Sequence, residues 1–163
     1  MRQIVLPIGH NNFVPSDKVV AIFSRNTRAV KPMISKAELN HRLIKATFGK
    51  GVKSVILTSD NYVVLSSISP KTLADRYSEE TQLPIFSCGG GNHIPNSQVA
   101  AILQKEKDSE PITKLLKDAR ANDLVINAQM GKPAKCIILT SAGYLIMSFL
   151  SPQTIAKKRF EQP

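Results

Sequence analysis

The chain has 163 residues, of which 42% are hydrophobic and 21% charged, with no Trp and 6% aromatics. That composition supports a folded core and excludes a disordered tract, and no apolar run approaches the roughly 18 residues of a spanning helix. Lys and Arg number 22 against 12 acids, a net charge of +10, which favours anionic partners: nucleic acid, an acidic membrane surface or an acidic protein.

The N-terminal stretch through Pro7 has no long apolar segment and no small-residue cleavage site, so no signal peptide is expected. Residues 4–8 are a short apolar run, followed by the turn-rich Gly9-His10-Asn11-Asn12. Residues 18–24 read as a Val- and Ile-rich strand. Val30, Met33, Ile34 and Ala37 recur at helical spacing and predict an amphipathic helix over about 29–41, with Pro32 in its first turn. Gly49-Lys50-Gly51-Val52-Lys53 then joins two strands, and Asp60-Asn61 turns the second into a hairpin. Ser69-Pro70-Lys71-Thr72 opens a last helix, with Ser as N-cap and Pro at the first helical position. A polar joint is expected at 78–82.

The same order then repeats. Residues 29–76 align with 111–158 without a gap, with 17 identities in 48 positions. Gly49/Gly131, Lys50/Lys132, Lys53/Lys135, Ser69/Ser151 and Pro70/Pro152 are among them. Upstream the offset falls from 82 to 80, so Val14-Pro15 matches Ile94-Pro95 and two residues are added before the second helix. The expected fold is α+β: two tandem β-rich units, 1–78 and 79–163, each with a central amphipathic helix and a short C-terminal helix. A unit of about 80 residues is small for an independent core, so burial against a neighbour helps it.

Charge is shared unequally: +8 in residues 1–78 and +2 in 79–163. Lys18, Arg25, Arg28, Lys50 and Lys53 form a candidate phosphate-contacting surface in the first copy, and Lys132 and Lys135 are what remains of it in the second. A division of labour between an anion-binding copy and a structural one accounts for this; drift on two solvated surfaces is the alternative.

Other chemistry is thin. Gly89-Gly90-Gly91 lacks the Gly-Lys-Ser/Thr of a phosphate loop and reads as a tight turn. His10, His41 and His93 have no metal-ligand spacing, Cys88 and Cys136 no disulfide-framework spacing, and no acid–base pair is visible. Neither an enzyme nor a cofactor is expected. The free cysteines fit a reducing bacterial cytoplasm.

Ile8-Gly9-His10-Asn11-Asn12-Phe13-Val14, Asp17-Lys18-Val19-Val20-Ala21-Ile22, Ile44-Lys45-Ala46-Thr47-Phe48-Gly49-Lys50 and Ser69-Pro70-Lys71-Thr72-Leu73 together resemble the RemA family, bacterial regulators of extracellular-matrix and biofilm genes. The second copy resembles it more loosely, through Gly89–Ile94, Ile126–Lys132 and Ser151–Ile155. The resemblance implies transcription regulation by ring-shaped homo-oligomers that bind double-stranded DNA on a basic rim. It implies DNA contacts at Lys18, Lys50 and Lys53, where lysine stands in place of the family's arginine. In the second copy Gln98 and Pro133 interrupt that pattern. A scaffold that no longer binds DNA is the alternative function, and single-stranded RNA binding a third.

Overall fold

The computed structural model describes residues 4–105 and 110–160. In the first repeat, strands β1 (Val5–Gly9) and β2 (Asn12–Pro15) form a hairpin and a 3-10 turn, Ser16–Lys18, leads into β3 (Val19–Ser24). Helix α1 (Val30–Leu39), β4 (Leu43–Lys45), β5 (Ser54–Thr58), β6 (Val63–Ser66) and α2 (Pro70–Thr81) follow. The second repeat runs β7 (Ile85–Gly89), β8 (Asn92–Pro95), β9 (Val99–Gln104), α3 (Glu110–Ala121), β10 (Val125–Asn127), β11 (Cys136–Thr140) and β12 (Leu145–Ser148). A final wide helical stretch of π type spans Thr154–Phe160.

The α+β class and the duplication stand as expected. Each repeat pairs its strands alike: β3–β5–β6–β4 in the first and β9–β11–β12–β10 in the second, with the outermost pair parallel and the rest antiparallel. Each hairpin is tied to its own sheet by the same serine. Ser66 Oγ donates to the Ile8 carbonyl, and Ser148 Oγ to that of Cys88, both at 2.8 Å. Arg76 Nη1 reaches the Pro7 carbonyl, and Arg159 that of Ser87, both at 3.2 Å. Arg159 lies one position later than the repeat register requires; the π widening of the last helix absorbs that extra residue.

Two features depart from the sequence reading. The joint at 78–82 is shorter, because α2 continues through Ser78–Thr81. Its buried face, Leu73, Ala74 and Tyr77, holds the helix down, and the polar residues that looked like a linker are its solvent face. Gln82 ends it in the left-handed conformation, φ +59°. The units also share a sheet. The β7–β8 hairpin of the second repeat adds to the first repeat's sheet, giving the order β4-β6-β5-β3-β8-β7 with Ile22 opposite His93. Asn92 locks this junction: its Oδ1 accepts from Ser24 N at 2.8 Å and from Thr27 Oγ1 at 2.9 Å. One core cluster therefore runs through both repeats, from Val20, Ala21 and Phe23 to Phe86, Ile94 and Ile126. The β1–β2 hairpin, by contrast, stays a separate two-stranded sheet.

Candidate nucleic-acid interface

At the C-terminal end of β3 the chain turns through Arg25, whose backbone N–H donates to the Lys53 carbonyl at 3.2 Å. That bond brings the residue after β3 beside the residue before β5. The loop between β4 and β5 closes with Lys50 N on the Thr47 carbonyl. Gly49 supplies the positive φ, +81°, with open space around its Cα. The result is an open depression of about 470 Å³ lined by Gly9, His10, Arg25, Lys50, Gly51, Lys53 and Ser67. Three exposed cations converge there, and among the described residues no carboxylate forms an ion pair with any of them.

His10 stands at the rim. Its ring lies 5.5 Å from that of Phe48 at an interplanar angle of 21°, and its Nε2 is 3.4 Å from Ser67 Oγ. Phe48 is 83% exposed and sits on a positive-φ turn, +52°. The depression thus pairs cations with an aromatic edge, the two features that receive a phosphate chain and its bases.

The other sequence-predicted residues lie apart. Lys18 is at the opposite end of β3 from Arg25, about 23 Å away along the strand. It pairs with Asp60 at 2.8 Å, and the hydrogen bond and charge of Asp60 raise its pKa above the ordinary lysine value. Arg28 is exposed in the turn before α1, outside the depression's lining.

Lys132 and Lys135 occupy the equivalent loop of the second repeat, but its surroundings are filled. Phe149 replaces Ser67 and packs so closely on Gly89 that a Cβ there would lie 2.9 Å from the ring. Lys132 Nζ rests 4.6 Å over that same ring. Gly90 replaces His10, and Met130, the counterpart of Phe48, folds over it. Lys105 N bonds the Lys135 carbonyl at 3.1 Å, as Arg25 N does that of Lys53. Sequence reasoning missed Lys105, although the 80-residue offset pairs it with Arg25. It also missed the Phe48–His10 stack, for which the sequence carries no spacing signal. Glu106 and Asp108, two of the eight acids of residues 79–163, lie outside the described residues.

A larger cleft, about 590 Å³, lies between the repeats beside α1 and β10. Its cations are already engaged: Lys36 pairs with Asp123 at 3.1 Å, and Arg42 lies 4.8 Å over the Tyr62 ring. It is the seam of the junction rather than an anion site.

Fold and site define a duplicated α+β protein with a shared sheet and one open, cationic, aromatic-edged face. The family model described as RemA-like, extracellular matrix regulatory protein A-like, matches residues 5–77 and again 85–159, and the chain belongs to this family. Three curated relatives carry the description "Putative regulatory protein". That of Thermotoga petrophila is 39% identical over 75 residues, covering 46% of this chain and 82% of the relative. That of Trichormus variabilis is 38% identical over 77 residues, 47% of this chain and 88% of the relative. That of a Synechococcus strain is 39% identical over 89 residues, 50% of this chain and all of the relative. Each match takes up about half of this chain, as a duplicated member requires. No helix among the described residues is long and apolar enough to cross a membrane.

Proposed function

We propose that this protein is a DNA-binding regulator or architectural protein that works as an oligomer. It contacts duplex phosphates mainly through Arg25, Lys50 and Lys53 of the first repeat. Lys18 and Arg28 extend this contact, and Lys132 and Lys135 contribute less. The observation that carries the reading is the contrast between the two equivalent loops. In the first, three cations converge on an open depression with no neutralising acid among the described residues; in the second, an aromatic ring fills the space and holds one lysine. A scaffold that had lost DNA binding has no need to keep three like charges together. Lysine supplies point charges for phosphate and arginine the planar fork that reads bases, so affinity here is mostly electrostatic and shape-dependent.

The test is binding of the purified protein to labelled duplex DNA across a salt series, with molar mass measured alongside. Steep loss of affinity with salt, carried by an oligomer, supports the reading. No binding at low salt by a well-formed oligomer overturns it in favour of the scaffold. Preference for a single strand overturns it in favour of single-stranded binding.

A further inference from the structure

The tip of the loop between β4 and β5 is a turn, Thr47–Lys50, closed by Lys50 N on the Thr47 carbonyl at 3.0 Å. Both central residues have positive φ, +52° at Phe48 and +81° at Gly49. Asparagine or glycine fills the first of these positions at least cost, whereas a bulky side chain there is strained. The strain brings no burial in return: at 83%, Phe48 is the most exposed large hydrophobic side chain among the described residues. The ring it stacks on, His10, is itself exposed and at positive φ, +53°. Backbone strain held without a packing gain points to a function outside the fold.

The second repeat keeps the turn and loses the feature. Lys132 N bonds the Gln129 carbonyl at 3.1 Å, with Met130 at φ +55° and Gly131 at +77°. Met130 lies down against Gly90, its sulfur 2.8 Å from where a Cβ there would stand, and is 37% exposed. The apolar tip is therefore folded away in the repeat whose cationic space is filled, and stands out in the repeat where Arg25, Lys50 and Lys53 converge.

A ring that projects beside three cations meets a polyanion. Apart from His10, the depression is lined by no aromatic residue, so there is no row of rings for the successive bases of a single strand. One apolar side chain next to phosphate contacts suits a duplex, where it can enter the minor groove and part the base pairs of one step.

We infer that Phe48 is a wedge residue that inserts at a base step while the neighbouring cations hold the phosphates. This rests on the duplex reading above and adds to it the residue that touches bases and the sequences it favours. Opening a step costs least at pyrimidine–purine steps and most in stiff A-tracts, so selectivity comes from the deformability of the DNA rather than from its base edges.

The experiment uses the full chain and two A·T duplexes of equal length with the same G·C ends, one of alternating TA steps and one an A-tract. The two carry the same charge and show the same minor-groove acceptors, but differ in stiffness. Affinity is read by fluorescence anisotropy across a salt series. The wild type is expected to bind the alternating duplex more tightly. Phe48→Asn is expected to weaken that binding about fivefold or more and to change A-tract affinity less than about twofold, at an unchanged salt slope. A 2-aminopurine at a TA step should brighten with the wild type and stay quenched with Phe48→Asn. The Tm of Phe48→Asn should equal or exceed that of the wild type, because asparagine suits the turn; a merely structural phenylalanine would lower it. Should Phe48→Asn misfold, Phe48→Leu is expected to keep the preference, through its apolar tip, and Phe48→Ala to lose it.

Salt-dependent binding with no preference in the wild type, or a preference intact in Phe48→Asn, overturns the wedge and leaves the phosphate contacts standing. Tighter binding of the single-stranded form overturns it in favour of a stacking platform. Absence of salt-dependent binding to either duplex overturns the wedge together with the DNA reading.

Discussion

Replacing Lys50 and Lys53 by alanine removes two of the three cations in the depression of the first repeat and leaves Arg25. Both side chains are exposed and neither is in the core, so the fold has little to lose. On duplex DNA each phosphate contact contributes about 0.9 to the slope of log affinity against log salt, so the depression's three cations supply about 2.7 per chain and the variant loses about 1.8 of it, keeping the share of Arg25 and of the cations outside the depression. A fourfold rise in salt weakens binding about 3.5-fold per contact, so the double variant loses only about a twelfth as much as the wild type over that range. Its affinity at low salt falls by the same two contacts. The equivalent Lys132→Ala, Lys135→Ala variant changes the slope by less than one contact, because Phe149 already holds the Lys132 ammonium over its ring. Fluorescence anisotropy on one labelled duplex at four salt concentrations reads all three proteins. Equal slope losses from the two double variants would refute the division between repeats. An unchanged slope in Lys50→Ala, Lys53→Ala would remove the depression as a phosphate site.

Further expectations concern the junction and the core. Asn92→Ala leaves Ser24 N and Thr27 Oγ1 without their acceptor inside the shared sheet, and a loss of about 2–3 kcal/mol is expected in urea unfolding; a change under half that size would mean water replaces the amide. Burial, reinforced by Lys71, lowers the pKa of His93. The unfolded histidine takes up its proton near 6.5 and the folded one only at lower pH, so stability falls as pH drops below the unfolded value. His93→Phe, the residue type at Phe13, should flatten Tm between pH 7.5 and 5.5; an unaltered pH dependence would place the proton elsewhere. Burial pushes the Cys88 thiol up to about 12 and that of Cys136 to about 11. Unfolded thiols ionise first as pH rises past about 8.5, so stability should decline from there upward. Neither cysteine should react with a thiol reagent at pH 8 until the protein unfolds, and rapid labelling of the native protein would contradict their burial.

The duplication and most elements are legible in the residues because each carries its own local signal. The α1 stripe, the Ser-Pro caps and the β5–β6 turn are fixed by periodicity and by φ preferences that act within a few residues. The β2 strand is not legible, since Asn12–Pro15 is short and pairs only through a tight positive-φ turn at His10 and Asn11. Nor is the partner of the β7–β8 hairpin, which is decided by tertiary packing against Val20 and Phe23. The basic residues were legible as a set but not as a place. Lys18 and Arg25 flank the same strand, and a strand carries its two ends apart, so Lys18 ends beside Asp60 and Arg25 beside Lys53. The filling of the second loop depends on Phe149 replacing Ser67 and on Met130 folding over Gly90, substitutions that mean nothing until the loop closes.

The most direct measurement of the central claim is lysine protection. The protein is acetylated under limiting reagent with and without saturating duplex DNA at low salt, and each lysine's modification is read by mass spectrometry. Lys50 and Lys53 are expected to be protected strongly by DNA and Lys132 and Lys135 weakly, with Lys36, paired with Asp123 across the junction, unchanged. Protection spread evenly over both repeats, or confined to the second, would contradict a DNA face built by the first.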